Sequence, residues 1–343
     1  MYNKYLITGA TGFLGRAIID ALIQYDGTLR IYAFVQNNDP FVKKLPPNVS
    51  VIYGDICDDT TLNHLFSYAD SYTCVIHSAG MVSVASNPGY KLYSVNVGGT
   101  AGIISHCEKS GVGKLIYVSS VHALPEKPPG DTITEDAVLS PDSVYGHYAR
   151  TKAIATNLVL DASSRGLNTD IVFPSGIIGP GDYGKGNITS MLLSFLAGNL
   201  PLAIRGRYDF VDVRDVAAGI VSCIEYGAPG GRYILSGHTI SIKNILDTAN
   251  SALGLHYRPI YLPIGLARLA ASTYEKRSLR LGLPNFFTPY SVSVLKSNCA
   301  FSHAHASTDL GYSPRPAEES IRDMVYWVNS HASPYRPLST HQV

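Results

Sequence analysis

The sequence predicts a doubly wound α/β fold, and three observations carry the prediction. A short apolar segment runs into Gly9-x-x-Gly12-x-x-Gly15, and an amphipathic segment follows at once. Apolar, strand-like runs then alternate with helical patterns through the first half of the chain. Strands without polar alternation are what a parallel sheet covered on both faces requires.

In the first unit, the helix after the glycines carries Phe13, Leu14, Ala17, Ile18, Ala21 and Leu22 at helical spacing, with Arg16, Asp20 and Gln24 between them. Gly9 permits a tight turn, Gly12 lets the backbone approach an anion, and Gly15 lets the helix pack closely on the strand. Phosphates would sit at the helix N-terminus, where free N–H groups and the macrodipole favour negative charge. Strand, glycine turn and helix in that order predict a Rossmann-type dinucleotide site. Further strands are expected at residues 30–35, 49–53, 74–77, 114–119 and 170–173, and helices at 60–68, 93–107 and 145–165. The Pro- and Gly-rich stretch 124–142 reads as a surface loop at the C-terminal edge of the sheet, where such folds bind ligands.

Beyond Pro174 the rhythm loosens. Pro180 and glycines 176, 179, 181, 184 and 186 mark an irregular, ligand-facing loop. Helices are expected at 188–198, 213–226 and 242–253, and a strand at 232–235. A last helix runs from Pro316, with Glu318 and Glu319 in its first turn, to about Asn329. The expected division is an NAD(P)-binding domain over 1–174, to which about 205–235 returns, a smaller C-terminal substrate lobe over 175–330, and a tail over 331–343.

At 343 residues, with 45% apolar and 15% charged residues, the composition is that of a globular protein with ample core. A formal net charge of +1 gives no field for nucleic acid or anionic membranes. Cys57, Cys74, Cys107, Cys223 and Cys299 are scattered with no Cys-x-x-Cys pair, which suits buried thiols in a reducing compartment. The best candidate for a membrane span, 262–272, is too short to cross a bilayer and contains Arg268. Residues 1–4 lead straight into the first strand, leaving no leader, so a cytoplasmic location is expected. His303-x-His305 lacks accompanying carboxylates or thiols, so no metal is expected.

The chemistry gathers on the long helix. Tyr148 and Lys152 stand four apart and share one face. Ser119 and Ser120 end the strand 114–118 at the sheet edge where ligands lie. A hydroxyl, a phenol and an ammonium converging there suit carbonyl reduction. The phenol supplies a proton, the serine hydrogen-bonds the carbonyl oxygen, and the ammonium is expected to lower the phenol's pKa toward neutrality. Met81, Val82, Tyr183, Tyr208 and Phe210 are candidate walls of a hydrophobic pocket, with ordinary packing as the alternative; His122 and His147 flank it as pocket or plain polar histidines, and Tyr145 has a substrate-wall or helix-cap role. Arg205 and Arg207 read as exposed turn residues, with a phosphate clamp as the alternative.

At this point the sequence resembles the extended short-chain dehydrogenase/reductase family over essentially its whole length. Thr8-Gly-Ala-Thr-Gly-Phe-Leu-Gly15 matches that family's cofactor loop, which implies cofactor contacts at Gly9, Thr11, Gly12, Phe13, Leu14 and Gly15. Gly54-Asp55-Ile56 resembles the step whose Asp contacts adenine. Ser78, Ala79 and Gly80 match the strand end under the cofactor, and Asn96-Val-Gly-Gly-Thr100 a helix motif beside it. Val118-Ser119-Ser120 and Tyr148-x-x-x-Lys152 carry the family's Ser/Tyr/Lys roles, with Ser120 as the catalytic serine. Pro174-Ser-Gly176-Ile177 opens the loop that holds the nicotinamide carboxamide, and Asp209–Val216 resembles a later Val-x-Asp-Val segment.

Within that family the dihydroflavonol 4-reductase-like group fits best, which implies a reductase of ketones or aldehydes. That group places Arg directly after the second strand to hold the 2′-phosphate of NADP; this chain has Gln36. No NAD-selecting carboxylate ends the strand either, and Asp39 lies too late for that role. With Lys43 and Lys44 nearby, NADP(H) is the favoured cofactor and NAD(H) the alternative. The expected partners are a small carbonyl substrate and, at most, a second copy of the chain. Two rival readings stand beside the reductase: a sugar-nucleotide epimerase or dehydratase that recycles NAD, and a non-catalytic NAD(P) sensor. Hydroxysteroid dehydrogenases share the reductase chemistry.

Overall fold

The computed structural model describes residues 2–281 and 287–331. Seven parallel strands form the central sheet in the order β10-β6-β5-β4-β1-β2-β3. They are β1 Lys4–Thr8, β2 Arg30–Val35, β3 Ser50–Tyr53, β4 Thr73–His77, β5 Lys114–Val118, β6 Thr169–Pro174 and, much later in the chain, β10 Gly231–Leu235. The chain reverses its winding between β1 and β4, which opens a crevice at their C-terminal ends.

Side chains alternate across the sheet. Tyr5 and Ile7 face one core, under α1 (Phe13–Tyr25). Leu6 faces the other, under α2 (Asp59–Phe66). Because both faces are covered, the strands read as continuous apolar runs. The second face is closed by α3 (Lys91–Tyr93), a π-helical turn over Ser94–Gly99, α4 (Thr100–Ser110) and α5 (His147–Ser164). Such π turns are rare and occur frequently at functional sites, and here the buried Asn96 lies in it.

The smaller lobe is built from short pieces. A three-stranded sheet β11-β9-β7 comprises β7 Gly176–Ile178, β9 Arg207–Asp212 and β11 His238–Ser241. A two-stranded sheet pairs β8 Leu202–Ile204 with β12 Ile260–Leu262. Around them pack α6 (Asn187–Leu196), α8 (Ile242–Leu253), α9 (Ile264–Leu281), α10 (Pro289–Val294) and α12 (Ala317–His331). The strand expected at 232–235 joins the large sheet as β10, and α7 (Val213–Tyr226) packs on α1. Residues 207–212, expected with the nucleotide domain, belong instead to the small sheet. Conversely, α11 (Ala304–Leu310) sends Ala306 and Leu310 into the core beneath α7. The expected tail from residue 332 onward lies outside the described residues.

Candidate active site

The glycine turn has the shape its spacing predicts. Gly9 has φ +69°, and a Cβ there would lie 2.8 Å from Ala79 Cα, so the β1 turn is pressed against the end of β4. A Cβ on Gly15 would lie 2.0 Å from the Gly9 carbonyl oxygen, so nothing larger than glycine lets α1 start this close to its strand. Helix α1 has no side-chain cap and no acidic residue in its first turn. Its N-terminal N–H groups therefore remain available to an anion. These features fit a dinucleotide pyrophosphate, with Gly9, Gly12, Phe13, Leu14 and Gly15 lining a large cleft.

That cleft, about 690 Å³, runs from the glycine turn across β4 and β5 into the small lobe. Ser78, Gly80, Ser119, Ser120, Tyr148, Lys152, Pro174, Gly176 and Ile177 line it, as do Val82 and His122. A Cβ on Gly80 would stand 3.5 Å from Lys152 Nζ, so this glycine keeps the cleft floor open beside the lysine.

The two serines separate by their partners. The Ser119 hydroxyl is paired with Thr156 Oγ1 at 2.6 Å. Ser120 accepts from the His122 N–H at 3.2 Å, and its hydroxyl also reaches the Tyr148 phenol. Ser120 is therefore the serine in contact with Tyr148.

Tyr148 is 8% exposed and Lys152 5%, both on α5. Burial pushes the Tyr148 phenol up to about 12, while the Ser120 hydrogen bond opposes the rise. The ammonium was expected to bring that phenol toward neutrality, and the structure corrects this. Lys152 Nζ donates to the Val118 carbonyl at 2.7 Å and lies 5.0 Å above the Tyr117 ring. Pulled toward β5 in this way, it leaves desolvation to dominate the phenol. Desolvation also lowers Lys152 itself to about 7.

Other expected residues act at a distance or elsewhere. Asn96 accepts from Met81 N–H at 2.7 Å and donates to the Met81 carbonyl at 3.0 Å and to Thr151 Oγ1 at 3.0 Å. It fixes the loop after β4, so Asn96 and Met81 position the cleft without lining it. Ala79 donates its N–H to Thr8 Oγ1 at 3.2 Å. Asp55 Oδ1 accepts from Cys57 N–H at 2.9 Å, and Ile56 packs under Gly99, both at the far end of β3. His147 is exposed on α5, 3.4 Å from the Tyr93 hydroxyl, while Arg205 and Arg207 are exposed. His303 and His305 face Ser236 and Glu135.

One further expectation needs correction, and one residue stands where its sequence position did not suggest. Tyr183 does not line the cleft. Its ring packs against Trp327 at 5.1 Å, with Arg16 Cζ 5.4 Å and Lys44 Nζ 5.1 Å from it. Asp39, placed by its sequence position too late to be the NAD-selecting carboxylate, nonetheless reaches the glycine turn. Asn38 takes φ +63°, the chain folds back, and the Asp39 carboxylate accepts from the Thr11 hydroxyl and from Phe41 N–H at 2.8 Å. Gln36 stays exposed at the strand end.

The substrate side comes largely from residues no motif marked: Leu200, Ala203 and Ile204 around β8, Leu262 of β12, and Tyr290, Val294 and Leu295 around α10. Tyr208 and Phe210 line it as expected. His122 stacks on Tyr208 (5.6 Å, 7°) and meets Tyr148 edge-on at 6.0 Å; burial lowers its imidazole to about 4. Lys152 and Asp182 are the charged side chains among the described lining residues.

The chain is similar to several known proteins. Sterol demethylase protein B of Methylococcus capsulatus is 28% identical over 326 residues, covering 94% of this chain and 97% of that protein. A putative dihydroflavonol 4-reductase of Synechocystis sp. is 27% identical over 335 residues, covering 96% of each. Mouse 3 beta-hydroxysteroid dehydrogenase type 7 is 31% identical over 356 residues, covering 95% of each. Among solved structures, gox2253 superposes with a TM-score of 0.80 at 28% identity, covering 96% of this chain and 99% of that one. UDP-glucose 4-epimerase of Thermotoga maritima shares the fold, with a TM-score of 0.77 at 17% identity, covering 95% and 99%. Residues 5–236 match the NAD dependent epimerase/dehydratase family, and the chain is a member of it, an extended short-chain dehydrogenase/reductase.

Proposed function

We propose that this protein is an NAD(P)-dependent oxidoreductase that interconverts a carbonyl and a hydroxyl on a bulky, largely apolar and uncharged substrate, with ketone or aldehyde reduction as the leading direction. One observation carries the reading. Ser120, Tyr148 and Lys152 open onto a substrate space walled by aliphatic and aromatic side chains, and no arginine stands among its described lining residues. A sugar nucleotide brings a diphosphate that needs counter-charge; among the described residues this space offers none beyond Lys152. Steroid-sized and flavonoid-like molecules match it, as the names of the sterol, hydroxysteroid and dihydroflavonol relatives suggest.

A bound nicotinamide would supply or take the hydride. The chain supplies the rest. Tyr148, protonated through neutral pH, gives its proton to the carbonyl oxygen. Ser120 donates a hydrogen bond to that oxygen, and the apolar walls exclude water so that both bonds act in a low dielectric. Because the phenol holds its proton tightly, oxidation of the alcohol should have a higher pH optimum than reduction. Incubation with hydroxysteroids and aryl ketones, followed by nicotinamide absorbance, tests the reading. Conversion of UDP-glucose to its epimer, with no steroid or ketone turned over, would overturn it.

The cofactor preference follows from charge at the adenosine end. The Asp39 carboxylate on Thr11 opposes a 2′-phosphate, while Arg16 and Lys44 favour it; Arg16 Nη1 is buried with no hydrogen-bond partner among the described residues. NADPH preference should therefore be modest, about ten- to a hundredfold. Asp39→Asn should widen it, and Gln36→Asp should invert it. Fluorescence titration of the three proteins with NADH and NADPH reads this directly. Tighter NADH binding by the unmodified protein would refute it.

A further inference from the structure

Tyr290 is a polar group of the cleft to which the proposed chemistry gives no task. Its ring is 8% exposed and lines the substrate space. Its hydroxyl is buried and finds no hydrogen-bond partner among the described residues. Ser175 also lines the cleft and its buried Oγ likewise lacks a well-formed hydrogen bond among the described residues, but it stands close enough to the Asp209 carboxylate to oppose the rise that burial gives that group's pKa, whereas none of those residues offers Tyr290 an acceptor. Leaving a buried hydroxyl unpaired is costly, so such a group calls for an explanation.

The surroundings hold this phenol in place. Helix α10 begins with a reciprocal cap, in which Thr288 Oγ1 accepts from Ser291 N–H at 3.1 Å and Ser291 Oγ from Thr288 N–H at 2.9 Å. The Thr288 hydroxyl then donates to the Val84 carbonyl at 2.8 Å, tying α10 to the loop over the cleft. The Tyr290 ring lies close against Gly146, where a Cβ would come within 2.3 Å of Cε2 and where φ is +93°. Tyr145 stacks on it (5.9 Å, 11°), and His122, which touches Tyr148, stands 6.1 Å away. Burial and the neighbouring Tyr148 raise its pKa well above the ordinary phenol value, so it keeps its proton and acts as a donor.

We propose that the Tyr290 hydroxyl recognises a second oxygen of the substrate, a few bonds from the reacting carbon, by donating a hydrogen bond to it. The substrate class is thereby narrowed to bulky apolar alcohols or ketones with two neighbouring oxygen functions. This narrowing rests on the oxidoreductase reading above, but the contact itself is a binding event and is read separately from turnover.

The test pairs a monohydroxy steroid with the same steroid carrying a second hydroxyl on the adjacent carbon. Binding of both to the protein loaded with oxidised cofactor is measured by calorimetry, and kcat/KM by nicotinamide absorbance, in the native chain and in Tyr290→Phe. The native chain should favour the diol by about ten- to a hundredfold, and the variant by less than about threefold. Its Tm should be unchanged or higher, since the deleted hydroxyl has no partner to lose among the described residues. An unchanged diol preference in the variant, equal binding or no binding of the two steroids by the native chain, or a Tm several degrees lower in the variant, overturns the proposal. A diol preference that depends on Tyr290 without turnover would sustain the contact and defeat the oxidoreductase reading.

Discussion

Tyr148→Phe should lower kcat by about 10²–10⁴-fold while leaving nicotinamide cofactor affinity and stability nearly unchanged. The substitution removes one oxygen from a side chain whose ring stays packed beside His122. The loss corresponds to about 2.7–5.5 kcal/mol of barrier, the range expected when a positioned general acid is removed. KM should move little, because the proton is delivered in the transition state. Ser120 bonds the phenol without giving up a proton of its own, so Ser120→Ala should damage turnover less than Tyr148→Phe does. Steady-state kinetics on any accepted ketone decides it. A Tyr148→Phe enzyme with more than half the native kcat would remove the phenol from the mechanism.

The sequence made the nucleotide half legible because its elements are long and strongly patterned. Buried parallel strands produce unbroken apolar runs, and the glycine spacing is a steric requirement that Gly15 shows at 2.0 Å. The substrate lobe left weaker marks. Strands β7, β8 and β12 have three residues each, too few for a period to register. Helix α9 was visible only as the apolar stretch 262–272, and nothing in that stretch announced the buried Glu275, which accepts from Ser86 N–H and Oγ at 2.8 Å each. Thr288-Pro289 is a helix-start signal that sequence reading passed over, and with it Tyr290 was missed. The contact of Asp39 with Thr11 was hidden for another reason. Counting residues past a strand assumes an extended chain, whereas Asn38 in the left-handed region folds the loop back onto Thr11. The direction of Lys152 was equally hidden, since helical spacing gives a shared face and says nothing of which neighbour the ammonium chooses.

Lys152→Met should push activity and stability in opposite directions. Burial lowers the Lys152 ammonium from its ordinary value of 10.5 to about 7. In the unfolded chain the amine regains its ordinary pKa, so between about pH 7 and 10.5 the unfolded state binds more protons. Stability attributable to this group therefore rises with pH across that window, and the full penalty applies below about 7. Above about pH 10 Tyr148 works the other way, because its raised pKa makes the folded state the one that holds a proton. A methionine at this position fills the volume of the lysine stem without a charge to desolvate. It forfeits the hydrogen bond to the Val118 carbonyl, about 1 kcal/mol, against a desolvation penalty of a few kcal/mol at neutral pH. Urea denaturation of the nucleotide-free protein should thus show the native chain gaining stability from about pH 7 to 9, with a much smaller gain in Lys152→Met and a more stable variant at pH 7. Turnover should fall at least about tenfold and cofactor affinity should weaken, because the ammonium that borders the cleft beside Gly80 is gone. Parallel pH–stability curves for the two proteins would show that the ammonium is solvated in the folded state, and native-like turnover in the variant would take it out of the site.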